Sequence, residues 1–200
     1  MLVVMALRLR VGVTALLLLG TLLCTSHAFA AGAKVGFAGG SSAQRTQVTR
    51  ALAASSFDWS LLPTRVTVHI GRDFESEAAP GEVWLDGDLL DTGHFGWGVV
   101  QHEFAHEVDF QLLSSDARAR FASLLGGRAW CWDVSGLTHG DYGCERFAST
   151  LAWAYWPSRD NCMRPRATRD ESAAASPAAF RAALADALRT PALKNVRKTA

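Results

Sequence analysis

His102 and His106 stand four residues apart, with Glu103 directly after the first. On a helix, four residues turn the chain by about 400°, so the two imidazoles differ by only about 40° in azimuth and can address one ion. Imidazole nitrogens at this spacing suit zinc. A glutamate one position on lies beside such an ion rather than on it, where its carboxylate can take a proton from water. That is the chemistry of metal-assisted hydrolysis.

A catalytic zinc generally takes three protein ligands and leaves a position for water, so a third donor must come from elsewhere. Asp109, His139 and Glu145 are the candidates. Glu145 is preferred because it starts a second predicted helix, Cys144-Glu145-Arg146-Phe147-Ala148. From a helix packed on the first, its carboxylate reaches the ion while Phe147 and Leu151 fill the interface. Asp109, one turn beyond His106, is expected to accept the second ring N–H of a ligand histidine, fixing its tautomer and raising its basicity.

The elements that must position these groups are legible as periodicities. Trp97, Val100, Phe104, Val108 and Leu112 form an apolar stripe on the His102 helix, with Val99, His102, His106 and Asp109 on the adjoining face. Asp91 or Thr92 is expected to cap this helix, which runs to about Leu113; Ser115 or Asp116 starts another that ends before Gly126-Gly127. Upstream, a glycine- and serine-rich stretch from Gly36 to Ser42 precedes a helix over about Ala43 to Ser55. Arg65 to Ile70 alternates as a strand with Val66, Val68 and Ile70 on one face, and Glu82 to Asp86 follows the Ala78-Ala79-Pro80-Gly81 loop as a second strand. Arg128 to about Gly140 is unpatterned, a helix runs from around Tyr142 to Pro157, and a last helix opens with Ser176 as cap and Pro177 in its first turn. The expected class is α+β, a small mixed β-sheet followed by the site helix and a helical C-terminal half.

At 200 residues and 49% apolar content the chain is long enough for one globular domain. Residues 1–30 read as a signal peptide: Arg8 and Arg10 precede the apolar run Val11 to Leu23, and Ala28-Phe29-Ala30 offers small residues for cleavage. That run is shorter than the roughly 20 residues a spanning helix needs, so residues 31–200 are expected as a secreted domain without a stable membrane span. Removing the leader leaves 18 basic against 19 acidic residues, a balance that implies no nucleic-acid partner. Of the remaining cysteines, Cys131, Cys144 and Cys162, two are expected to pair in an oxidising compartment, with Cys131–Cys162 slightly favoured because both flank one helix. Trp84, Trp97, Trp153 and Trp156 read as core residues, while Trp130 and Trp132 flank Cys131 in a loop that can overhang a cleft.

The run His-Glu-Phe-Ala-His-Glu-Val-Asp, followed about forty residues later by Glu145-Arg146-Phe147-Ala148, resembles the glutamate-ligated zinc peptidases, the gluzincins. The likeness is in particular to the catalytic domain of anthrax lethal factor and related bacterial secreted peptidases, and it covers two helices. It implies a zincin-like fold, a single catalytic Zn²⁺ held by His102, His106 and Glu145, and Glu103 as general base. It also implies an oxyanion-stabilising tyrosine, for which Tyr142 is a loose match and His139 the competing donor. The expected function is thus a secreted zinc-dependent endopeptidase, acting as a monomer on a peptide or protein substrate. An extended peptide is expected to pair with the sheet edge beside Val83 to Leu85. The alternative is a secreted zinc-stabilised binding domain without catalysis.

Overall fold

The computed structural model describes residues 34–72, 75–132 and 134–189, so the expected leader lies outside the described residues. Among the described residues a four-stranded mixed sheet and six α-helices form the expected α+β class. β1 (Val35–Gly39), β2 (Val66–Gly71) and β4 (Glu82–Asp86) run parallel, and β3 (Glu77–Ala79) is antiparallel to β4 in the order β1-β2-β4-β3. The alternation of β2 sends Val66, Val68 and Ile70 into the core, where Val83 and Leu85 of β4 join them.

Two strands were hidden in segments that read as loop. The glycines of β1 look like linker residues, yet the approach of β2 requires the one at position 39. A Cβ on Gly39, at φ +76°, would stand 2.4 Å from the Ile70 carbonyl oxygen, whereas one on Gly36 would meet only the movable end of the Arg65 side chain. β3 is only three residues long, too short to show a period, and Pro80-Gly81 turns it straight into β4. Its presence corrects the expected substrate edge: Val83–Leu85 lies in an interior strand, flanked by β2 and β3, and offers no open ladder.

α1 (Ser42–Ala54) is closed by a reciprocal cap between Ser41 and Gln44. The expected cap of the site helix is displaced. Asp86 caps a short helix, α2 (Gly87–Asp91), Gly93 turns the chain at φ +71°, and α3 (His94–Leu112) starts with no side-chain cap. Ser114, one residue before the expected start, caps α4 (Ser115–Leu125). α5 spans Gly143–Tyr155, and Ser176 caps α6 (Pro177–Arg189) as expected.

α3 and α5 form the most extensive helix pair, with α1 packed on α3 and α4 and α6 on α5. Val100, Phe104 and Val108 of the α3 stripe are fully buried, with Trp97 and Leu112 at its margins. Phe147 of α5 packs on Phe121 of α4 and Phe180 of α6 with ring centroids 5.0 and 5.4 Å apart. Trp84, Trp97, Trp153 and Trp156 are half-buried rather than central; the deeply buried indole is Trp59. On the sheet side of α3, the fully buried Glu107 accepts the Gly81 N–H at 2.9 and 3.1 Å and a further hydrogen bond from Gln111.

The disulfide joins Cys131 to Cys144, which corrects the favoured Cys131–Cys162 pairing. The reason is backbone pairing: Gly143 N–H donates to Ala129 and Cys144 N–H to Trp130, both at 2.8 Å, bringing Cys131 onto the first turn of α5. Cys162 is held instead against α3, where a Cβ on Gly98 would meet its Sγ at 2.6 Å. A bridge across 13 residues of separation restricts the unfolded chain by about 3 kcal/mol. The double variant Cys131→Ser/Cys144→Ser should therefore melt about 6–12 °C lower in thermal circular dichroism.

Candidate metal centre

α3 supplies His102 and His106 one turn apart, and α5 supplies Glu145 from its first turn, where the helix dipole favours a carboxylate. Nε2 of His102 lies 3.1 Å and Nε2 of His106 3.3 Å from Oε2 of Glu145, and the two nitrogens are 3.3 Å apart. All three side chains are buried, and their donor atoms fall within 4.8 Å of one another. At metal–ligand bonds of about 2.0–2.1 Å, the edge of a tetrahedron is about 3.4 Å long, close to these separations. Two imidazole nitrogens and a carboxylate oxygen, converging away from solvent at this spacing, fit a metal ion.

Burial works against the charge of Glu145, but hydrogen bonds from His102, His106 and His139 outweigh it and hold its carboxyl well below the usual range. Burial likewise opposes the charge on His106, and the Glu145 bond reverses this to raise its pKa. The Glu145 carboxylate is thus the acceptor that the imidazoles share, and a metal competes with protons for the same nitrogens. Glu103 follows His102 on α3 and is 5% exposed; burial raises its pKa against the pull of His102 and His106. A carboxyl so tuned is a better proton acceptor than an ordinary glutamate.

His139, in a short 3₁₀ turn before α5, joins the cluster from the open side. Its Nε2 lies 3.0 Å from Oε2 of Glu145 and its Nδ1 2.7 Å from Oε1 of Glu171. Bonding to Glu145 and then to Glu171 pushes its pKa up to about 10. Tyr142 takes another role. Its hydroxyl donates to the Val134 carbonyl at 2.6 Å and its ring is buried, so the phenol is committed to the loop. The Asp109 carboxylate accepts from Arg118 Nε at 2.6 Å and from the Trp130 indole at 3.0 Å, tying α3 to α4 and to the disulfide loop. It acts on His106 through charge, while the hydrogen bond to the second nitrogen of a cluster histidine comes from elsewhere.

That bond is made by Ser149, whose Oγ lies 3.1 Å from His102 Nδ1 and 2.7 Å from Oε2 of Glu171. The serine has one proton to donate and Glu171 accepts it, so the serine oxygen receives Nδ1–H of His102 and leaves Nε2 for the centre. One carboxylate thereby orients two imidazoles, His139 directly and His102 through Ser149. Neither residue is marked in the sequence: Ser149 is one more small residue on α5, and Glu171 sits in a 3₁₀ turn of an unpatterned segment.

No known protein family, curated protein or solved structure matches the chain. What the geometry establishes is a buried His/His/Glu group able to hold a metal ion. Among the described residues no helix is long and apolar enough to cross a membrane.

Proposed function

We propose that the chain is a secreted zinc-dependent endopeptidase of the gluzincin kind, with His102, His106 and Glu145 as metal ligands. The observation that carries this reading is the convergence of those three donors beside a buried Glu103. The leader-like residues 1–30 and the Cys131–Cys144 bridge support export to an oxidising compartment.

A zinc ion at such a centre supplies Lewis acidity toward a peptide carbonyl. Glu103 takes the proton of the attacking water as its oxygen bonds to the carbonyl carbon, then passes that proton to the amide nitrogen as the C–N bond breaks. His139 has both ring nitrogens engaged, by Glu145 and by Glu171, so in this reading it would steady the developing oxyanion through its positive charge rather than as a hydrogen-bond donor. Ser149 and Glu171 keep His102 in the tautomer that faces the centre.

The test is cleavage of a peptide library by the zinc-loaded chain. The expected result is cleavage that stops with a chelator and returns with one equivalent of zinc. Tight zinc binding with every peptide left intact would instead favour the non-catalytic, zinc-stabilised binding domain.

A further inference from the structure

Trp132 is 62% exposed, more than any other large apolar side chain among the described residues. A single exposed indole is ordinary on a protein surface, so its meaning depends on what it stands beside. Its position narrows the choice. The ring leans on Tyr142 with centroids 4.4 Å apart and stands edge-on to His139 at 6.1 Å. His139 in turn touches Glu145. The Tyr142 hydroxyl meanwhile holds the carbonyl of Val134, a second exposed apolar residue at 47%. Tyr142 is therefore a platform under an apolar rim at the open side of the cluster.

The disulfide ties this rim to the centre. Cys131 directly precedes Trp132, and Cys144 directly precedes Glu145, so one covalent bridge adjoins both the exposed ring and a proposed ligand.

We infer that Trp132, held by Tyr142 and the Cys131–Cys144 bridge, is the wall of an apolar subsite that takes an aromatic or branched aliphatic side chain of the substrate near the cleaved bond. This rests on the peptidase reading. The occupant is a substrate side chain because the exposed ring lies against His139, whose Nε2 contacts Glu145 of the proposed centre.

The test uses zinc-loaded protein and peptide pairs that differ only in phenylalanine or serine at positions around the cleaved bond. Wild type should prefer the phenylalanine member at one position. Trp132→Ala should lower that preference, measured as a ratio of kcat/KM, about tenfold, mainly through a higher KM for the phenylalanine peptide. Trp132→Phe should restore most of it. The Cys131→Ser/Cys144→Ser variant, with zinc still bound, should lose preference as Trp132→Ala does. Unchanged preference in Trp132→Ala, with both peptides cut, overturns the subsite and leaves the peptidase reading standing. Failure of zinc-loaded wild type to cut any peptide overturns both. Self-association that Trp132→Ala abolishes, without a change in preference, overturns the subsite by assigning the ring to a contact between copies.

Discussion

Glu103→Gln is expected to retain one zinc per chain and to hydrolyse peptides about 10³-fold more slowly than wild type. The amide matches the carboxylate in shape but cannot accept the proton that the proposed mechanism passes from water to Glu103. Glu103 is 5% exposed and its charge is opposed by burial, so a neutral replacement removes a desolvation cost and leaves the fold intact. Zinc content by elemental analysis and turnover of a cleaved peptide separate the two properties. Full zinc with undiminished turnover would remove Glu103 from the mechanism.

Glu145→Ala should weaken zinc binding by more than about 100-fold, the upper end of what loss of a mere supporting partner costs. The carboxylate is the hub of the cluster, with Nε2 of His102, His106 and His139 at 3.1, 3.3 and 3.0 Å from one oxygen. Its removal takes away the proposed anionic ligand and leaves three nitrogens around the gap. Titration against a chelator of known affinity measures the change. Zinc affinity within a few-fold of wild type would mean that Glu145 is not a ligand.

The parts of the site legible in the sequence are those set by local geometry. His102, Glu103 and His106 share one helical turn, so their placement follows once α3 is recognised, and the apolar stripe through Val100, Phe104 and Val108 announces that helix. Glu145 was reachable for a similar reason: Phe147 and Leu151, both fully buried, point one face of α5 at a neighbour and orient the first turn with it. What escaped depends on contacts distant along the chain. Glu171 acquires its role only because a 3₁₀ turn folds back over α5 onto Ser149, 22 residues earlier. The bridge partner of Cys131 is chosen by a backbone pairing between Ala129 and Tyr142 that leaves no periodic trace. β1 was obscured because glycines that serve close strand approach look the same in sequence as those that serve flexibility.

Glu107 directly follows His106, so its bonds to Gly81 do more than bury a carboxylate. They anchor α3 to the turn at Pro80-Gly81 that joins β3 to β4. The carboxylate beside a proposed ligand thus fastens α3 to the sheet on the flank away from α5.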